Sequence, residues 1–289
     1  MVFTVTEIFD GCSVRDFLKI GKGLSSRLFS YLKRGNCIRR DGKVIMPFEK
    51  VKCGDKIEIR FPDSESGVKP AQGELDLLFE DDYVLAVNKP AHMPCHPSVG
   101  HYDDTLAGIV AWHFEQIGLK TAVRMPARID SGTTGVVLVA KNEYIAERLS
   151  AQKMSKVYIC VCEGNLPDTG EIDLPIGRCE GSIIRREVRP DGKPAKTVYE
   201  TIGEADGLSV AKVKIETGRT HQIRVHFAHM GHPLLGDWLY GRECAEPARH
   251  LLHLECVEFT HPVTEEKIVI SAPMPEDMKK YLTLDTGKQ

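Results

Sequence analysis

The chain has 289 residues, 42% of them hydrophobic and 27% charged, with a net charge of -3, which is ordinary for a globular fold and long enough for one large domain plus a small appended one. No apolar run approaches the roughly 20 residues needed to span a bilayer, and the opening MVFTVTEIFDG has neither the basic nor the apolar region of a secretory signal. Nine cysteines, an odd number scattered without a CxxC pair, suit a reducing cytoplasm better than a disulfide framework.

Taken in chain order, residues 1–61 form a small α+β unit. A short helix is predicted over Ser25–Lys33, with Leu28, Phe29 and Leu32 on its apolar face and Gly35 at its end. Cys37–Arg39, the turn Arg40-Asp41-Gly42-Lys43 and Val44–Met46 read as a hairpin, and Lys56–Phe61 as an alternating strand. Residues 14–61 carry 13 Lys/Arg against 5 Asp/Glu, or +8, which leaves -11 for the remainder. A basic module on an acidic body is the footprint of nucleic-acid contact, because phosphate neutralisation supplies most non-specific affinity; solvated charge without a partner accounts for the count equally well. Residues 62–73, PDSESGVKPAQG, read as a linker. Beyond it, strands are predicted at Leu75–Glu80, Val84–Asn88, Val136–Ala140, Val157–Cys162, Leu208–Thr217, His250–Phe259 and Glu266–Ser271, with a helix at Asn142–Ser150 and a tail from residue 281 to 289.

Four segments concentrate unusual residues. In Pro126-Ala127-Arg128-Ile129-Asp130-Ser131-Gly132-Thr133-Thr134-Gly135 a carboxylate stands two residues after an arginine, at the mouth of a buried strand. Taken alone, Asp130 reads as a turn or cap aspartate. In Lys156-Val157-Tyr158-Ile159-Cys160-Val161 alternation puts Tyr158 opposite Val157 and Ile159, on the face of Cys160 and Cys162. It is there to stack on a base or offer a phenol, or is simply a half-buried sheet tyrosine. Glu216-Thr217-Gly218-Arg219-Thr220-His221-Gln222-Ile223-Arg224 is a strand-to-helix junction, with Thr220 as expected N-cap of a helix over roughly His221–Met230. His221 and Arg224 fall on one face of it, which makes an anion site with or without chemistry. In Val87-Asn88-Lys89-Pro90-Ala91-His92-Met93-Pro94-Cys95-His96-Pro97 three prolines stiffen the chain; His92, Cys95 and His96 lack the further ligands a metal site needs.

The stretch RLFSYLKRGNCIRRDGKVIMPFEKVKCGDKIEI resembles the alpha-L type RNA-binding domain, departing from it at Ser25-Ser26-Arg27, where such domains often carry more basic residues. Residues 74–278 resemble the RluA-type pseudouridine synthases through EDDYVLAVNKPAHMPCHPS, ARIDSGTTGVVLVAKN, KVYICVCEG, AKTVYETI, TGRTHQIRVHFAHMGHPLLGDWLYG and HLLHLECVEFTHPVTEEKIVISAPMP, all in the family's order. The departures are Ala127 where the family usually has histidine, Ile129 for leucine, and Thr134 where serine is common.

The resemblance implies an α+β catalytic domain over 74–280, built on a long, mixed, mainly antiparallel sheet with flanking helices. It implies isomerisation of uridine in ribosomal or transfer RNA by base flipping, with no cofactor and no metal, in a cytoplasmic monomer that contacts RNA and no membrane. Asp130 is then the catalytic carboxylate, attacking the sugar, attacking the ring, or removing a sugar proton. Burial favours the neutral form of such a group, so a fixed cation must hold it charged; the resemblance assigns this to Arg224. It implies that Tyr158 stacks on the uracil, and that Arg128 fills the gap left by the flipped nucleotide. Arg219, His221 and Lys89 are expected at phosphates or in the framework. The basic run Arg185, Arg186, Arg189, Lys193, Lys196 is expected on a loop or hairpin, near the RNA path or of no consequence. A catalytically inactive RNA-binding or ribosome-assembly factor on the same fold is the alternative, favoured only by Ala127.

Overall fold

The computed structural model describes residues 1–98, 100–242 and 246–282, so most of the expected tail lies outside the described residues. At the N-terminus, β1 (Val2–Thr4) precedes α1 (Val14–Asp16), which runs into a π-helical turn at Phe17–Gly21. Then follow α2 (Ser26–Arg34), β2 (Ile38–Arg40), β3 (Lys43–Val44) and β4 (Lys56–Ile59). The strands form an antiparallel sheet in the order β1-β4-β2-β3. Ser25 caps α2 by accepting from the Leu28 amide, and Leu28, Phe29 and Leu32 are buried as the helical spacing requires. The Phe3 ring meets Tyr144 edge-on at 5.6 Å, and Tyr144 Oη donates to the Lys22 carbonyl at 2.9 Å. The apolar core of this unit is therefore continuous with that of the larger sheet.

The larger sheet has nine strands. In chain order they are β5 (Leu77–Glu80), β6 (Val84–Lys89), β7 (Thr134–Ala140), β8 (Ser155–Glu163), β9 (Thr169–Asp173), then, after a separate hairpin of β10 (Ile176–Arg178) and β11 (Arg186–Val188), β12 (Lys196–Ala205), β13 (Leu208–Ile215), β14 (Leu252–Thr260) and β15 (Lys267–Ser271). The spatial order is β5-β6-β7-β14-β8-β13-β12-β9, with β15 also paired to β14. Among the described residues only the β7–β14 pairing is parallel, so the sheet is mixed and mainly antiparallel, as expected. The helices are α3 (Leu106–Gln116), α4 (Glu143–Ala151), α5 (Gln222–His229) and α6 (Glu276–Leu282).

Alternation sorts the side chains between two faces. Leu85, Val87, Val137 and Val139 pack with α3, while Val84, Ala86, Val136 and Leu138 face the core shared with Ile145 of α4, Phe227 of α5 and the N-terminal unit. Tyr158, Cys160 and Cys162 share this second face, and both cysteines are free and buried. Gly135, at φ +111°, lies where β7 meets β14; a Cβ there would collide with the Leu254 backbone. The Pro- and Ser-rich segment 62–73 is no slack tether. Ser64 N–H donates to the Lys120 carbonyl, Val123 N–H to Ser66 and Ala71 N–H to Gly108, strapping the segment along α3. Its backbone groups find partners on the helix flank, which polar composition alone does not reveal.

Candidate active site

The sheet's β7–β14–β8 centre, the loop before β7 and the start of α5 enclose a cavity of about 610 Å³. Asp130, Tyr158, Arg224, Arg128, Arg219 and His221 all line it. The loop that carries Asp130 is fixed through its backbone. Lys89 Nζ donates to the Ser131 carbonyl at 2.9 Å, and Arg249 Nη1 to that of Gly132 at 3.0 Å. Gly132 is pressed against the His250 ring, with room for no side chain: a Cβ would stand 2.8 Å from it. Thr133 Oγ1 pairs with His250 Nε2 at 2.9 Å, and the Thr133 amide donates to the Asp130 carbonyl.

Arg224 organises the charge. Its Nε and Nη2 clamp both oxygens of Asp237 at 2.7 and 2.8 Å, which leaves Nη1 to reach Asp130 Oδ2 at 3.0 Å. Burial alone would raise the Asp237 carboxyl, but the Arg224 guanidinium outweighs it and holds the group below its usual value. The Leu239 and Tyr240 amides also donate to Asp237. The Asp237 side chain has no solvent exposure and that of Arg224 only 5%, whereas that of Asp130 is 28% exposed. The pair is thus a sealed anchor with one carboxylate facing the cavity. Asp130 Oδ1 makes no hydrogen bond among the described residues.

His221 stands behind Asp130, with Nε2 3.8 Å from Oδ2. Burial, chiefly, lowers its imidazole from the ordinary value, so the neutral ring prevails at pH 7. Tyr240 Oη accepts from the Arg186 amide at 2.9 Å and lies 2.8 Å from His221 Nδ1. Its own proton is free for Nδ1, so the ring's hydrogen resides on Nε2, toward the carboxylate. Tyr158 is 7% exposed, and burial, with Asp130 nearby, pushes its phenol far up, so the ring carries a neutral hydroxyl.

Two expectations are corrected. Lys89 does not line the cavity: its side chain is fully buried, and its ammonium is spent on the carbonyls of Pro90, Met93 and Ser131. Burial pulls that ammonium down to about 8, and three carbonyl acceptors replace its lost water. Of the two roles expected for it, the framework one fits. Thr220 is not the N-cap of α5. The helix begins at Gln222 after His221 in the left-handed region (φ 58°), and Gln222 Oε1 itself accepts from the Arg219 amide and Thr217 Oγ1. The helix start carries no side-chain cap, and the buried glutamine instead ties the preceding turn together. Elsewhere, Cys95 Sγ bonds the Ile129 carbonyl, and no trio of His, Cys, Asp or Glu suited to a metal forms among the described residues. The basic run divides: Arg186 lies on the β10–β11 hairpin, and Lys193 lines a second cleft of about 500 Å³ that adjoins the first through Gly218, Arg219 and Thr220. Lys196 is paired with Glu171 at 2.8 Å.

Sequence reasoning missed Asp237, Tyr240, Arg249 and His250. For Asp237, Tyr240 and His250 the signal lay inside quoted motifs, while Arg249 stands just before one: a buried arginine needs more countercharge than one half-open carboxylate gives, and GDWLY supplies an acid soon after the helix.

The family model for RNA pseudouridylate synthases matches residues 83–229, which contain the Asp130 loop, β8 and α5. An uncharacterized RNA pseudouridine synthase of Bacillus subtilis (strain 168), YjbO, is 38% identical over 90% of this chain and 95% of its own. The ribosomal large subunit pseudouridine synthase D of Xanthomonas campestris pv. campestris is 32% identical over 89% of this chain and 83% of its own. Among solved structures, human RNA pseudouridylate synthase domain containing 1 superposes with a TM-score of 0.58 at 24% identity, covering 71% of this chain and 86% of that one. That likeness concerns the fold.

Proposed function

Since the chain belongs to the RNA pseudouridylate synthase family and isomerises uridine in RNA, we propose that Asp130 is its catalytic carboxylate, that Arg224 anchors it as its ion-pair partner, and that Tyr158 packs on the base. The observation that carries the reading is the Asp237–Arg224–Asp130 chain, in which a sealed ion pair directs one guanidinium nitrogen at the one carboxylate open to the cavity.

The reaction breaks the bond between uracil and ribose, turns the base, and rejoins it through a ring carbon. It needs a carboxylate at the sugar and base, and a wall against which the freed base can turn. Oδ2 of Asp130 is anchored, so Oδ1 is the oxygen offered to substrate. The Tyr158 ring forms an apolar wall beside it, and its protonated phenol is suited to hydrogen bonding rather than to acting as a resting base. Arg128, exposed at the rim, is placed to occupy the space a flipped nucleotide vacates, and Arg219 to meet the backbone; its Nε is held by the Pro194 carbonyl. His221 supports the carboxylate from behind.

For the substrate we propose large-subunit ribosomal RNA, which is what the Xanthomonas relative is named for. The protein would act as a monomer in the cytoplasm, with residues 1–61 as an RNA-binding unit docked on the catalytic domain. Exposed Lys33, Arg34 and Lys52 favour that role for the unit, forming no ion pair among the described residues. The test is release of tritium from uracil-labelled ribosomal RNA of cells lacking the protein. Release by wild type, lost in Asp130→Asn, is the expected result. Full release by the variant would remove Asp130 from the chemistry; no release by wild type from any cellular RNA would leave an inactive RNA-binding factor.

A further inference from the structure

Four cations line the catalytic cavity: Arg128, Lys156, Arg219 and Arg224. Arg224 is saturated by two carboxylates, Arg219 is held by a carbonyl, and Arg128 is exposed to water. Lys156 differs from all three. It is partly buried, yet it has no hydrogen bond or ion pair among the described residues. Burial is also the one influence on its ammonium, which it pulls below the ordinary lysine value with no compensating carboxylate. A half-buried cation that lines a cleft and has no side-chain partner among the described residues marks a place for an anionic ligand.

Its position says which ligand. Lys156 and Tyr158 lie on one face of β8, two residues and thus about 7 Å apart along the strand. Asp130 is near enough to Tyr158 to raise its phenol, while no such influence reaches Lys156. The ammonium therefore does not neutralise the catalytic carboxylate. It waits one pleat further along, on the order of the span between a nucleoside's reacting sugar and the linkage beside it.

Resting on the pseudouridine-synthase reading, we propose that Lys156 binds a phosphodiester oxygen flanking the target uridine, fixing the sugar while the base is released and turned. This is a positioning role, exerted in ground state and transition state alike, so its loss raises KM more than it lowers kcat.

The experiment measures tritium release from uracil-labelled large-subunit ribosomal RNA of cells lacking the protein, with wild type, Lys156→Gln and Lys156→Arg. K156Q should raise KM about 10-fold, as loss of a charge-assisted contact does, with kcat within about 3-fold. The salt dependence of kcat/KM should flatten by about one phosphate contact. K156R should recover most of the loss, and thermal unfolding of K156Q without RNA should match wild type, because the ammonium makes no side-chain bond within the described fold that the substitution could remove. An unchanged KM, a fall confined to kcat, or a drop of several degrees in Tm would overturn the proposal, the last by making Lys156 part of the framework. Inactive wild type would sink the functional reading itself, and this inference with it.

Discussion

In the cleft, the Arg224 guanidinium spends its hydrogen bonds on Asp237 and Asp130, whereas Lys33, Arg34 and Lys52 of the N-terminal unit stand exposed and unpaired among the described residues. The same residue types serve opposite ends. A cation locked in low dielectric orients the carboxylates around it and is little affected by salt; a cation in water attracts anions at long range and is screened. Charge in the cleft is sealed, and charge on the N-terminal unit is left open.

The sharpest way to break this contrast is Asp130→Asn. Turnover should fall on the order of 10⁴-fold or more, while RNA affinity stays within about 3-fold, because no phosphate contact is lost. Stability should hardly change, since Asp130 is the open member of the chain. Tritium release, filter binding and urea denaturation read the three quantities; a variant that loses binding as severely as turnover would erase the distinction between the regions.

Asp237→Ala should do the reverse, costing about 3–5 kcal/mol of stability by stranding Arg224 in the core. Asp237 is held below its unfolded value, so its contribution is present above that value and is lost as pH falls through the folded one. Urea titrations on wild type should therefore show acid sensitivity below about pH 4 that the variant lacks. A stability loss under about 1 kcal/mol would mean that the clamp is not sealed.

A pH effect of intermediate size belongs to His250. Burial, chiefly, lowers it to about 3, so the unfolded chain takes up a proton near pH 6.5 that the folded chain refuses. Its contribution is complete above that pH and declines below it, which removes about 2 kcal/mol between pH 7 and pH 5. His226 and His253, also lowered by burial, act in the same direction. His250→Gln should flatten the slope between pH 7 and 5, as chemical denaturation at the two pH values will reveal; an unaltered slope would assign it to other groups.

What sequence could disclose follows the same division. Asp130, Tyr158 and Arg224 were legible because motif order carried them, β7 because a continuous apolar run marks a buried strand, and β8 because its residues alternate. The α3 helix was not foreseen: Leu106, Ala107, Gly108, Ile109, Val110 and Ala111 are all buried, so there is no polar stripe to reveal a period. Asp237 and Arg249 were hidden because which acid meets which arginine is fixed by the fold and by no local pattern. The Thr220 cap failed because tertiary bonds from Gln222 to Lys196 and Thr197 overrode a local preference.

The smallest effect tests the open half of the contrast. Replacing Lys33, Arg34 and Lys52 by glutamine removes three exposed charges whose ties to the described fold are a bond of Arg34 Nε to the Ser30 carbonyl and the attraction of Lys52 for Asp55. Deleting residues 1–61 would be a coarser experiment, because Phe3 and Lys22 pack on Tyr144 and their loss would uncover the shared core. The triple variant should keep wild-type Tm and kcat and weaken RNA binding several-fold at low salt. Its log Kd against log salt should be shallower by up to about two to three contacts' worth of slope. At high salt the two proteins should converge, because screening removes from wild type what substitution removed from the variant. Parallel lines, displaced but equally steep, would mean that these side chains act through the fold rather than on phosphate.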